Sequence, residues 1–329
     1  LVRQLGFGRR IAVLSDPDTH AALAARIERA LVGSFRVESL ILPAPQADTT
    51  TVEHVRKATV AADALIAVGS GTINDLAKYA SALDRKPYAV FGTAPSMNGF
   101  TSLTASITEH GHKKSLRAHA PIGAFFDLGV LAAAPPRLIR AGLGDSICRS
   151  TAQWDWLLSH LLLDTPYRQL PFDLLSEDEP ALIAHAEALL AGDVEAMRRL
   201  VRTLVLSGFG TAIEGSSAPA SQGEHLISHF VDMFAPPGRP TVFHGEQVGV
   251  ATLSMARLQA HLLQGAPPLL RADRGSRAAF GSRYGRQLSA SIWPEFAAKQ
   301  LDAARVDELN HRIATGWNGI CSRLNAVHL

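Results

Sequence analysis

Short apolar runs alternate with helical patterns over the first 130 residues, and long helical patterns fill the rest. Residues 10–15 (RIAVLS) are nearly all apolar and end at Asp16-Pro17-Asp18-Thr19, after which Ala, Leu and Arg recur at helical spacing. Residues 35–42 form a second apolar run, followed by a Pro/Gln/Asp/Thr loop and a helix over about 51–62. ADALIAVGS, PYAVFGTAPS and IGAFFDLGVL supply three more strand patterns. Strands that are apolar throughout and separated by helices predict a parallel sheet covered on both faces. Residues 98–120 are rich in Ser, Thr, Gly and His without a clear period, and are expected to make a hairpin or flap over the sheet edge.

The pattern changes at 132–136 (AAAPP). Helical periodicity follows over 137–163, 177–190, 193–214, 221–234 and 244–264, and the tail 266–329 is helical with breaks. The expected organisation is therefore a Rossmann-like α/β domain over 1–134 and an all-α domain over 135–329, with a ligand in the cleft between them.

Composition narrows the class. A chain of 329 residues that is 47% hydrophobic buries a large core. Its 32 basic and 30 acidic residues leave a charge of +2 with no basic stripe, which argues against nucleic acid as a partner. No apolar run reaches membrane-spanning length, and the opening LVRQLGFGRRIAVLSD passes from a basic pair straight into a strand, unlike a signal peptide; a start trimmed of its Met stays open. Cys148 and Cys321 form no metal-type pair and fit a reducing compartment, so a cytoplasmic protein is expected.

Two stretches carry chemistry. AVGSGTINDLAK (67–78) follows a strand and opens a helix, so its glycines and free N–H groups suit the pyrophosphate of a dinucleotide. A tight turn capped by Thr72 is the plainer alternative. Asp16, at the end of the first strand, can accept from an adenosine ribose or serve simply as a helix N-cap. In the second stretch, residues 223–249, His225 and His229 stand four apart on one helix face, and His244 opens a new helical run after a Pro/Gly break. Such imidazoles meet a divalent metal if a carboxylate joins them, and Asp145 in AGLGDSICR is the candidate. The alternative is one buried and one solvated histidine.

GSGTIND, GTAPSMNGFTS, AGLGD, GEHLISH and FHGEQVG, in this order, resemble the superfamily of dehydroquinate synthase and the iron-containing-type alcohol dehydrogenases. Within it the chain looks most like the sn-glycerol-1-phosphate dehydrogenases, especially their bacterial branch. The resemblance implies a metal on Asp145, His225 and His244. It implies NAD(H) or NADP(H) on Gly69, Ser70, Gly71, Thr72 and Ile73, on Thr93, Ala94, Pro95 and Ser96, and on Ser102, with Asp16 leaning toward NADH. His229 matches a substrate-contacting position.

The implied reaction is reversible reduction of dihydroxyacetone phosphate to sn-glycerol 1-phosphate in a homo-oligomeric enzyme. Two departures stand out: Asn98 replaces the usual substrate-holding Asp, and Arg149 stands where iron-type enzymes place a fourth ligand, which suits zinc or nickel over iron. Arg149, Lys113 and Lys114 are candidates for a substrate phosphate, with solvent exposure the expected role of each. The rival readings are a dehydrogenase of glycerol or another small polyol and, further off, a dehydroquinate-synthase-like lyase.

Overall fold

In the computed structural model, which describes all residues except 237, 241 and 329, the N-terminal half is a five-stranded parallel sheet. Its strands are β1 (Arg10–Ser15), β2 (Arg36–Ile41), β3 (Ala64–Gly69), β4 (Tyr88–Gly92) and β7 (Gly123–Phe126), in the order β2-β1-β3-β4-β7. Their apolar composition has the expected cause, since both faces are covered. Leu23, Ile27 and Leu31 pack with Ile11, Val13, Ile66 and Val68 on one side. On the other, Val52 and Val55 of α2 (Thr49–Ala58) and Leu76 and Ala80 of α3 (Gly71–Leu83) pack on Leu14, Leu65 and Val90. The first helix begins with a turn at Pro17–Thr19, passes through a π-helical stretch at His20–Ala24, and continues as α1 (Ala25–Leu31).

The polar stretch at 98–120 contains an antiparallel hairpin, β5 (Thr104–Glu109) with β6 (His112–Arg117), turning through His110 and Gly111 at positive φ. Ala105 and Ile107 are buried with the residues of α3 and alternate with Thr104, Ser106 and Thr108, a pattern only two apolar residues long.

From Pro136 the described residues hold only helices and loops. Those that carry the core and the site are α4 (Pro136–Leu163), α5 (Val194–Glu214), α6 (Gly223–Met233), α7 (His244–Gln264) and α8 (Ala303–Asn325). The single helix expected over 177–190 is two, Asp178–Ala184 and Ala186–Leu190, broken at His185. Trp154 and Leu157 of α4 pack with Ile313, Trp317 and Ile320 of α8. Among the described residues no helix is long and apolar enough to cross a membrane.

Close backbone contacts join the halves. A Cβ on Gly142 of α4 would fall 1.6 Å from the carbonyl oxygen of Pro95, in the loop after β4, so only glycine allows that approach. Thr101 Oγ1 donates to the Val205 carbonyl of α5 at 2.8 Å. The segment between β4 and β5 is thereby wedged between the sheet and two helices of the C-terminal half.

Candidate active site

Strand order reverses direction at β1, which lies between β2 and β3, and in open sheets of this kind ligands bind beyond the carboxyl ends of the strands at such a switch point. Gly69 and Gly92 pair at the ends of β3 and β4, and the loops that follow, 69–73 and 93–96, lie side by side there. The first loop turns directly into α3, whose N-cap is Ser70 with no side-chain cap; the alternative cap at Thr72 does not form. Anions are attracted by uncapped N–H groups at such an end. Asp16 caps the helical turn at Pro17–Thr19: its Oδ1 accepts from the N–H of Thr19 at 2.8 Å and from Thr19 Oγ1 at 3.0 Å.

The metal candidates converge because α4 and α7 touch backbone to backbone. A Cβ on Gly144 would lie 2.2 Å from the carbonyl oxygen of Gly245, and one on Gly245 would lie 1.9 Å from that of Ala141. With glycine at both places, Asp145 and His244, each next to one of these glycines, face each other. His225 enters from α6. Asp145 Oδ1 stands 3.6 Å from His225 Nε2 and 3.9 Å from His244 Nε2, and the carboxylate is 1% exposed. One donor atom from each of the three residues lies within 4.8 Å of the others. Asp145 Oδ2 accepts the Asn98 N–H at 2.7 Å, but the buried Oδ1 has no hydrogen-bond partner. A buried, unpaired carboxylate oxygen aimed at two imidazole nitrogens costs stability as it stands and is what a divalent cation satisfies.

Protonation fits the same use. Desolvation, with the nearby His225, Lys113 and His229 adding to it, holds His244 well below the ordinary imidazole pKa, so its nitrogens stay free of extra protons. Burial pushes Asp145 up, opposed by His225 and by the Asn98 N–H. His229 has a ring centroid 6.2 Å from that of His225 and 5.9 Å from that of His244, beside the triad. Desolvation lowers its pKa to about 4, with Lys113 contributing, so it is neutral near pH 7.

Several supporting residues escaped the sequence reading. Glu224, fully buried, accepts or shares a proton with His225 Nδ1 at 2.9 Å and takes the Gln222 N–H at 2.8 Å. It fixes the ring so that Nε2 faces Asp145. Asp155 of α4 takes the Gly223 N–H at 3.1 Å, anchoring the start of α6, and burial raises it to about 6. Lys78 is fully buried and donates from Nζ to the Gly99 carbonyl, to Ser102 Oγ at 3.0 Å and to the Thr104 carbonyl at 3.1 Å. It secures the loop that brings Asn98 to Asp145, and desolvation lowers its pKa to about 8. A sequence signal did exist: Asn74, Lys78 and Ser81 form a polar stripe at helical spacing on an otherwise buried face.

Arg149 corrects an expectation. It is 1% exposed, not solvated, and turns away from the triad to pair with Glu179 at 2.5 Å, to donate to the Pro171 carbonyl and to lie over the Phe172 ring. Lys113 and Lys114 are half-buried, paired with Asp232 and Glu109 respectively.

Residues 1–135 match the family model described as iron-containing alcohol dehydrogenase. A glycerol-1-phosphate dehydrogenase of Thermococcus sibiricus is 33% identical over 260 residues, which is 78% of this chain and 73% of the relative. The chain belongs to the glycerol-1-phosphate dehydrogenase family. A relative of the same name in Halalkalibacterium halodurans is 35% identical over 256 residues, and one in Bacillus subtilis 33% over 267. The match covers 75% of this chain but only 64% of the Halalkalibacterium halodurans relative, just under two thirds of its length. Among solved structures, glycerol dehydrogenase from Schizosaccharomyces pombe superposes with a TM-score of 0.66 at 18% identity, covering 99% of this chain and 86% of that one. Maleylacetate reductase from Rhizobium sp. strain MTP-10005 gives 0.60 at 18% identity, covering 95% and 78%. These two likenesses show the fold alone: a parallel sheet with helices followed by a helical region.

Proposed function

We propose that the chain is a metal-dependent, NAD(P)-linked dehydrogenase that interconverts dihydroxyacetone phosphate and sn-glycerol 1-phosphate. The observation that carries the reading is the unpaired Oδ1 of Asp145 facing the Nε2 atoms of His225 and His244. When bound, a divalent cation there supplies Lewis acidity toward a ketone oxygen, and a reduced nicotinamide supplies hydride.

The chain's own residues supply position and charge. Asp145, His225 and His244 form the ligand set, and Glu224 keeps His225 in register. Three ligands, with Arg149 turned away, favour zinc or nickel. Asn98 is bound through its backbone to Asp145, and its buried Nδ2 has no partner, so a donor is free for a substrate hydroxyl. His229 stays neutral and offers a hydrogen bond to the same substrate. Gly69 to Ile73, with uncapped N–H groups, and Thr93 to Ser96 take the dinucleotide. Ser102, held by Lys78, joins them, and Asp16 meets its adenosine ribose. Residues 1–134 and 135–329 act as the two walls of the cleft. The enzyme works in the cytoplasm as a homo-oligomer.

A second reading, a dehydrogenase of a neutral polyol, is favoured by one observation only, the neutral amide of Asn98 in place of a carboxylate. Both are tested by following NADH absorbance on protein stripped of metal and reloaded with zinc or nickel. Metal-dependent oxidation with dihydroxyacetone phosphate but not dihydroxyacetone supports the first. Equal turnover of both ketones supports the second, and no turnover with either overturns both.

A further inference from the structure

We propose that Lys113 is the residue that receives the phosphate of the substrate, with Asp232 as the counter-ion it leaves on binding. This rests on the reading of a phosphorylated substrate given above. Three cations were open for the task. Arg149 is excluded because its guanidinium is buried against Glu179, Pro171 and Phe172. Lys114 follows Lys113 on β6, and successive side chains of a strand leave opposite faces; it pairs with Glu109 within its own hairpin. Lys113 instead crosses from the hairpin to α6, where its Nζ meets Asp232 Oδ2 at 2.9 Å.

The place of that pair is informative. Asp232 lies three residues beyond His229 on α6, and Gln247 lies three beyond His244 on α7; Gln247 Nε2 donates to Asp232 Oδ1 at 2.6 Å. Lys113, Asp232 and Gln247 thus form a layer about one helical turn, roughly 5 Å, from the imidazoles. That separation is on the scale of a three-carbon phosphoester with its oxygens at the triad. The Lys113 charge is felt at Asp145, His229 and His244, which places the cation within the field of the site. Its side chain is 23% exposed, so a ligand can reach it.

The ion pair also explains how the subsite is kept ready. With no ligand, Asp232 satisfies Lys113 and orients it. When a phosphate dianion arrives, Lys113 exchanges one anion for another, and Asp232 keeps the hydrogen bond from Gln247. Asp232 therefore competes with the phosphate for the same cation.

The test compares dihydroxyacetone phosphate with dihydroxyacetone on zinc-loaded wild type and on Lys113→Met, Lys113→Arg and Asp232→Asn, with metal content measured for each. The wild type should prefer the ester. Lys113→Met should lose at least about tenfold more in kcat/KM for the ester than for the plain ketone, mainly through KM, while carrying full metal. Lys113→Arg should recover most of the loss, and Asp232→Asn should lower KM for the ester by removing a competing anion. Ester preference kept by a metal-loaded Lys113→Met overturns the Lys113 assignment and leaves the phosphorylated-substrate reading standing. A wild type that turns over the plain ketone equally well overturns that reading and the assignment with it. If Lys113→Met does not fold, Asp232→Asn decides: a KM for the ester that does not fall overturns the proposal.

Discussion

The two halves of the molecule build their parts of the candidate site in different ways. The sheet half contributes mainly backbone: loops at the ends of β3 and β4, with the N–H groups of 71–73 at an uncapped helix start. The helical half contributes side chains, Asp145, His225 and His244, drawn from three helices and held by buried partners. A backbone site depends on the chain's path, so it is written in a few adjacent glycines. A side-chain site assembled from distant helices depends on how closely those helices approach. The first tolerates many side chains but no change of path, and the second tolerates no loss of a ligand.

The comparison is broken most severely by Asp145→Ala. Metal content should fall below detection and turnover by about a thousandfold or more, since the missing carboxylate is both ligand and the only anion of the triad. The sheet half should stay folded, as judged by circular dichroism and retained nucleotide binding. Metal-loaded, active Asp145→Ala protein would remove the site assignment. The converse variant, Gly69→Val, puts a Cβ 2.6 Å from Ile73 Cβ and displaces the first turn of α3. Nucleotide affinity should drop on the order of tenfold to a hundredfold, the effect of a shift near 1 Å, while metal content stays at the wild-type level. Loss of metal together with nucleotide would mean that the walls are not independent.

Glu224→Gln sharpens the picture within the helical half. It keeps size and an oxygen toward Gln222 but removes the charge behind His225. Zinc affinity should weaken by roughly ten- to a hundredfold in a chelator competition, with little change in melting temperature. An unchanged affinity would make Glu224 a packing residue only.

The smallest expected effect is one of pH. The folded pKa of His229, about 4, lies below its ordinary value of 6.5. Between these values the unfolded chain binds a proton that the folded one does not. Metal-free protein should therefore lose stability as pH falls from about 6.5 to 4, with this contribution flat below. After allowance for partial exposure it is on the order of 1 kcal/mol. Denaturant curves of His229→Asn should show a shallower slope across that window; an identical slope would place the titrating group elsewhere.

Much of this arrangement was legible in the chain. Strand and helix identities followed from periodicity, and α7 begins and ends at the residues its pattern marked, His244 and Gln264. The hairpin at 104–117 was less distinct because only Ala105 and Ile107 of β5 are buried deeply, too few for alternation to stand out. Arg149 was misjudged because a cation mid-helix ordinarily faces water, and only the approach of 171–179 supplies it with Glu179, a carbonyl and a ring. The alternative of a turn capped by Thr72 does not hold, because the helix starts at Gly71 with Ser70 as its N-cap residue and no side-chain cap, a choice set by the backbone path out of β3.

What the sequence determined by itself was the alternation of a covered parallel sheet with a helical half, the glycine-rich strand-to-helix turn after β3, and the residue types able to hold a metal. These are local properties, fixed by period and by side-chain chemistry. The tertiary structure decided the rest. It brought Asp145 against His244 through the contact of Gly144 with Gly245, placed Glu224 behind His225, tied the Asn98 loop down with Lys78, and paired Lys113 with Asp232 of α6 while Lys114 stays within its hairpin and Arg149 is buried against Glu179. The physical reason is distance: each of these pairings depends on packing between segments far apart in the chain or on which face of a helix or strand is turned inward. No local pattern records that choice.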